Sequence, residues 1–150
     1  MMTTKAIYLD LDGTLVDLYG VEGWLEMLEA EDATPYIEAK PMVRLANLAR
    51  LLNLLQEREG YHIAIVSWLS KNGTNEYNTE VMLAKYEWLN RHLPSVWFNE
   101  IKIVPYGTPK SRVVKYPDGI LFDDEYRNQA EWKGLAFDAT DLLETLRGLL

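Results

Sequence analysis

Apolar residues recur along this chain in two alternating rhythms. Four short runs, Ala6-Ile7-Tyr8-Leu9, His62-Ile63-Ala64-Ile65-Val66, Ile101-Lys102-Ile103-Val104 and Gly119-Ile120-Leu121-Phe122, have the length and apolar density of buried strands. Helical spacing fills the gaps. Val21, Trp24, Leu25 and Leu28 mark a helix in the acidic stretch 19–33, which Thr34-Pro35 breaks. Pro41 opens a stronger helix with Met42, Leu45, Leu48, Leu52 and Leu55 on one face, and Gly60 stops it. Residues 79–92 form a third amphipathic helix, closed by Pro94. A helix through Ala130 and Trp132 precedes a short fifth strand over 134–137, and Thr140 caps a last helix running to Leu149. The first strand is expected over 5–10. Strand and helix in alternation predict an α/β fold: a five-stranded parallel sheet between helices, three-layer α/β/α and Rossmann-like.

Polar residues fall at or after four of these strands. Asp10 and Asp12 follow the first, Ser67 the second, Lys110 the third, and Asp123 and Asp124 the fourth. Right-handed crossovers in a parallel sheet bring such strand ends to one edge, where open α/β sheets bind ligands. Alternation turns Asp10 and Asp12 to one side and Leu11 into packing. Gly13 permits a sharp turn and close approach to a ligand. Three or four acids at one edge repel unless a cation neutralises them. Oxygen donors, few histidines and no thiols point to Mg²⁺.

Taken singly, most of these residues are ordinary. Asp12-Gly13 alone is a turn, Ser67 a loop hydroxyl, and Asp123-Asp124 an acidic pair at a helix start. Lys102 and Lys115 compete with Lys110; the first lies inside a strand and the second nearer the fourth strand, which favours Lys110 after Gly107-Thr108-Pro109. His62 and His92 belong to no ligand cluster, and Trp24, Trp88 and Trp132 read as packing aromatics.

Composition narrows the field. The 150 residues favour one domain, and 48% hydrophobic with 25% charged residues is ordinary for a globular chain. No cysteine is present, which excludes disulfides, thiolate metal sites and a cysteine nucleophile. The net charge of −8 disfavours extended nucleic-acid binding, although a small phosphate remains compatible with it. No run approaches the ~18 apolar residues of a membrane span. The residues before Asp10 lack a leader pattern, so a cytoplasmic location is expected.

The string Asp10-Leu11-Asp12-Gly13-Thr14 after a strand, followed in order by Ser67, Lys110 and Asp123-Asp124, resembles the haloacid dehalogenase (HAD) superfamily in its phosphatase branch. That resemblance implies a HAD-like fold and a Mg²⁺-dependent phosphomonoester hydrolase working through an aspartyl-phosphate. It makes Asp10 the nucleophile and Asp12 the acid that protonates the leaving alcohol and then activates water. Asp12 would also lend its main-chain carbonyl to the metal, and Thr14 would shape the turn. Ser67 and the amide of Trp68 would hold phosphoryl oxygens, and Lys110 would neutralise the phosphate and Asp10. Asp123 and Asp124 would anchor Mg²⁺, directly or through water.

Inserts that form substrate-selecting caps are common in this superfamily. Here residues 18–40 allow only a small cap-like insertion, and 67–110 allow little beyond a helix and a strand. Tyr19, Trp24, Tyr36 and Trp68 are aromatic candidates near the mouth. The segment from Asp123-Asp124 to Trp132 is similar to the fourth motif of polynucleotide 3′-phosphatases and deoxyribonucleotidases, which narrows the expected substrate to a nucleotide or nucleic-acid phosphate. No kinase-type phosphate loop is present. The alternatives are phosphotransferase or mutase chemistry of the same superfamily, and a non-catalytic phosphate-binding module.

Overall fold

The computed structural model describes residues 4–150. Its strands are β1 (Ala6–Leu9), β2 (Val16–Asp17), β3 (Lys40–Pro41), β4 (His62–Trp68), β5 (Glu100–Val104), β6 (Ile120–Phe122) and β7 (Ala136–Phe137). Its helices are α1 (Trp24–Glu29), α2 (Thr34–Glu38), α3 (Leu45–Glu57), α4 (Asn75–His92), α5 (Tyr126–Glu131) and α6 (Leu142–Gly148). No described helix is long and apolar enough to cross a membrane.

Five strands pair in parallel in the order β5-β4-β1-β6-β7. The chain runs outward from β1 through β4 to β5, then returns to build β6 and β7 on the other side. β1 is therefore central, and the reversal beside it is the switch point where Rossmann-like sheets open a ligand crevice. All four residues of β1 are fully buried. Its alternating side chains serve two layers. Ile7 and Leu9 join Leu48, Leu52 and Leu55 of α3 and Leu142 and Leu146 of α6. Ala6 and Tyr8 join Ala64, Val66, Leu121 and Trp132 on the opposite face. The three α3 leucines are wholly buried, and burying each contributes about 1.5–3 kcal/mol. The result is the expected three-layer α/β/α arrangement.

Several local expectations need correction. Helix α3 begins at Leu45, not at Pro41. Pro41 instead pairs with Val16 in a two-stranded antiparallel ribbon, and the Met42 amide donates to the Leu15 carbonyl at 2.8 Å. Proline suits that short edge, where no ladder donor is asked of it. Met42 is consequently half exposed rather than part of the buried α3 stripe. The acidic stretch is not one helix: a 3₁₀ turn at Leu18–Gly20 and the short α1 replace it. Thr34-Pro35 starts α2 instead of ending a helix, because proline in a first turn forfeits only an amide that lacks a partner anyway. The Asp32 carboxylate takes both the Thr34 amide (3.0 Å) and its hydroxyl (2.6 Å). Helix α4 starts four residues early, capped by the Thr74 hydroxyl, which accepts from the Tyr77 amide at 3.2 Å. Thr140 does not cap α6; its hydroxyl donates to Asp138 at 3.0 Å.

The 18–40 insertion is anchored, not loose. Leu18 and Tyr36 pack with Tyr77, Val81 and Ala84 of α4 in a third apolar cluster. The Glu31 carboxylate accepts the Thr74 amide (2.9 Å) and hydroxyl (3.0 Å). This segment therefore packs on α4 and lines a cavity with the C-terminal ends of β1 and β4.

Candidate active site

The turn after β1 is closed by main-chain bonds. The amides of Thr14, Leu15 and Val16 all donate to the Leu11 carbonyl, at 3.0, 2.9 and 2.9 Å. Gly13 takes φ +80°, a left-handed conformation that favours glycine. A second demand falls on the same residue: a Cβ there would collide with the Asp124 carboxylate. Gly13 thus makes the turn and leaves the space that brings the acids after β6 up to the acids after β1.

Asp10, Asp123 and Asp124 each offer a carboxylate oxygen within 4.8 Å of the others. Asp123 is fully buried and Asp10 nearly so, whereas Asp124 stands at the exposed rim. Lys110, itself buried, donates to Asp10 Oδ1 at 3.0 Å and to Asp123 Oδ2 at 2.6 Å. Its third N–H has no protein partner among the described residues and can reach a ligand. The other Asp123 oxygen accepts the Glu125 amide at 2.9 Å, and the Asp123 carbonyl accepts the Gln129 side chain at 2.9 Å. Thr14 donates to Asp10 Oδ2 at 3.4 Å. Lys102 and Lys115 are both exposed, so the sheet edge selects Lys110 among the three lysines.

Crowding sets the electrostatics. Burial, then the Asp10 charge, pushes Asp123 up to about 6 against the pull of Lys110. Burial, the Asp10 charge and a carboxyl–carboxyl hydrogen bond with Asp10 push Asp124 up to about 7. Burial alone would lower Lys110, but Asp10 and Asp123 outweigh it and hold the ammonium above its ordinary value. Such shifts, from desolvation and like charge together, are typical of functional sites.

Asp12 points elsewhere. Its carboxylate is outside the three-acid group and accepts from Lys85 Nζ at 2.9 Å. Burial raises the Asp12 carboxyl, Lys85 pulls it down and Asp10 pushes it up; the net direction is upward. Lys85 also donates to Ser67 Oγ at 2.7 Å and to the Trp68 carbonyl at 2.7 Å. It was not anticipated from sequence, although a signal existed. Tyr77, Val81, Ala84, Trp88 and Leu89 line the buried face of α4, and Lys85 occupies a core position among them. A lysine there has to find partners or destabilise the helix.

These groups open into a cavity of about 730 Å³, lined by Asp10, Asp12, Ser67, Trp68, Lys110 and Asp124 on the sheet side. Tyr19, Trp24, Leu25, Leu28 and Tyr36 of the insertion form the facing wall. All four anticipated aromatics therefore line the mouth, and Trp24 does so instead of serving only as packing. Trp68 fixes its ring through an indole bond to the Thr108 carbonyl (2.8 Å) and lies against Tyr106, with ring centroids 4.8 Å apart. Asn128 of α5, also unanticipated, is buried on the same cavity with its Oδ1 unpartnered among the described residues. His62 bonds Glu100 at 2.9 Å, and His92 packs on Trp88 with centroids 4.3 Å apart, both away from the cavity lining.

No protein-family model matches this chain, and a search of curated proteins finds no match either.

Proposed function

We propose that this protein is a Mg²⁺-dependent phosphomonoester hydrolase of the HAD type, with Asp10 as its nucleophile. One observation carries the reading. Asp10 lies in a four-carboxyl edge where Lys110 keeps one N–H free, and where Asp12 and Ser67 face the same cavity.

The donor set fits the cation. Asp10, Asp123 and Asp124 supply closely grouped hard oxygen ligands in negative surplus, with no histidine or thiol among them. These three would hold Mg²⁺, and the family resemblance adds the Asp12 main-chain carbonyl. When bound, the cation offsets the negative charge that otherwise keeps a carboxylate from approaching a phosphate.

The chain's own groups then divide the work. Lys110 places its free N–H toward a phosphoryl oxygen. Ser67 accepts from Lys85 and so keeps its own O–H to donate. Asp10 forms a bond to phosphorus as the leaving oxygen departs, giving an aspartyl-phosphate. Asp12, raised above the usual carboxyl range, gives its proton to that oxygen and later takes one from the attacking water.

The wall suggests the substrate. Tyr19, Trp24, Tyr36 and Trp68 offer flat faces within a cavity of about 730 Å³, which suits a phosphomonoester bearing a planar ring, a nucleotide or nucleic-acid end above all. The test is phosphate release from aryl and sugar phosphates, nucleotides and 3′-phosphorylated oligonucleotides, with Mg²⁺ and with EDTA. Turnover should require Mg²⁺, prefer ring-bearing esters, and fall about 10⁴-fold or more in Asp10→Asn. Unchanged turnover in that variant sinks the proposal.

A further inference from the structure

We infer that Lys85 is a positioning residue for proton transfer: it holds Asp12 and Ser67 in register so that one chosen oxygen of Asp12 meets the leaving group. This inference rests on the phosphohydrolase reading and adds a part that none of the sequence motifs contains.

The two buried lysines at this edge differ in free valence. Lys110 spends two N–H bonds on Asp10 and Asp123 and keeps one. Lys85 spends all three, on Asp12 Oδ2, Ser67 Oγ and the Trp68 carbonyl, and is 2% exposed. An ammonium has three donors and no more. Lys85 therefore has nothing left for a phosphate and acts only through the groups it holds. Its Nζ also lies 5.3 Å from the centre of the Tyr36 ring, so the insertion braces it from the far side.

The choice of oxygen follows. Asp12 Oδ2 is committed to Lys85, while Oδ1 has no protein partner among the described residues. Oδ1 is therefore the oxygen left to exchange a proton with the leaving group. As the bond from Asp10 to phosphorus forms, the bond from phosphorus to the leaving oxygen breaks with its electron pair. That oxygen takes the Oδ1 proton and leaves as a neutral alcohol. Without Lys85 the carboxyl can rotate, and either oxygen can point away from the leaving group. Ser67 loses the donor that commits its lone pair, so its O–H is no longer aimed by default.

Leaving-group dependence separates this role from a merely structural one. The value of kcat/KM reports only steps through phosphoryl transfer to Asp10. A 4-nitrophenyl leaving group scarcely needs a proton, whereas an alkyl alcohol needs one. In Lys85→Met we expect kcat/KM for alkyl phosphates to fall about 100-fold, and for 4-nitrophenyl phosphate less than about 10-fold. In the Asp12→Asn background the same substitution should leave the ratio between the two substrates unchanged.

The absence of native cysteine allows a chemical complement. Lys85→Cys, alkylated with 2-bromoethylamine while unfolded and then refolded, regains an ammonium of nearly native reach and should recover alkyl phosphate turnover. Alkylation with iodoacetamide gives an uncharged side chain and should not. Any one ammonium-free form that folds, judged by circular dichroism and melting, decides the question. An equal loss on all substrates, independent of Asp12, overturns the positioning role. A wild-type protein that hydrolyses no phosphate ester ends the hydrolase reading itself, and the role of Lys85 with it.

Discussion

Two part-buried polar clusters sit on the same sheet, and only one is closed. Toward the N-terminal ends of the strands, Glu100 accepts the Tyr8 hydroxyl (2.7 Å), His62 Nε2 (2.9 Å) and the Lys115 amide (3.1 Å). The Tyr8 oxygen in turn accepts the Tyr116 amide at 3.0 Å. One carboxylate meets enough donors, and no acid crowds another. At the C-terminal ends, four carboxyls (Asp10, Asp12, Asp123 and Asp124) meet two ammonium groups, Lys85 and Lys110. Burial alone does not distinguish these clusters. The surplus of negative charge and the free donors do, because a saturated network stabilises the fold and has nothing left for a ligand.

The sharpest way to break this contrast is at Gly13. An alanine there must hold φ near +80° and place a methyl where the Asp124 carboxylate lies. The backbone strain and the overlap together should cost about 3–4 kcal/mol. They should also push Asp124 out of the three-acid group. Urea unfolding of Gly13→Ala with and without Mg²⁺ measures both effects: the wild type should gain stability from the ion and the variant little. A variant that keeps the full Mg²⁺ gain would show that the acids do not depend on this approach.

Much of the contrast was legible in the chain, for identifiable reasons. The central sheet follows from short apolar runs, since a parallel strand buried on both faces has no polar alternation to hide it. Asp10, Ser67 and Asp123 are found because each stands at the end of such a run, and Lys110 because it follows the Gly107-Thr108-Pro109 loop beyond the third; sheet topology makes those ends neighbours. Lys85 was missed because its partners lie 17, 18 and 73 residues away, and because a lysine within a helix is most often a solvated one. Residues 19–33 misled for a different reason. Their apolar spacing is helical, but Gly23 at φ +75° and Glu31 at φ +57° interrupt it, and the demand that the insertion lie on α4 overrides local periodicity. The start of α3 was misplaced because proline at a helix start and proline on a strand edge look the same until the partner strand is known.

A smaller perturbation is pH. Asp123 at about 6 and Asp124 at about 7 both stand above the ordinary carboxyl value of 3.8, so the metal-free folded protein prefers their protonated forms. That preference contributes fully only below about pH 4 and is lost as pH rises through 6 and 7. Asp123, fully buried, accounts for at most about 3 kcal/mol of the loss. Thermal melts in EDTA should therefore show a lower Tm at pH 7.5 than at pH 5. Saturating Mg²⁺ should narrow or reverse that gap, because a cation favours the charged forms. Equal melting temperatures at both pH values, with and without Mg²⁺, would mean that the edge is as well neutralised as the Glu100 network.

The mildest test is on the closed cluster. Tyr8→Phe keeps the ring that packs on Trp132 (centroids 5.4 Å apart) and removes only the hydroxyl. It leaves the Tyr116 amide without its acceptor and Glu100 with one donor fewer. The expected loss is about 1–2 kcal/mol, the size of a buried hydrogen bond with one partner orphaned. Nothing in the Asp10 group touches this hydroxyl, so the Mg²⁺-dependent gain in stability, and any phosphate turnover, should equal the wild type's. Burial, with the Glu100 hydrogen bond and charge behind it, holds the Tyr8 phenol well above its ordinary value, so its loss introduces no titration near neutral pH. A Tyr8→Phe protein with an altered Mg²⁺ response would require the two clusters to communicate through β1. The separation between saturated and unsaturated polar groups would then describe one extended network with two ends.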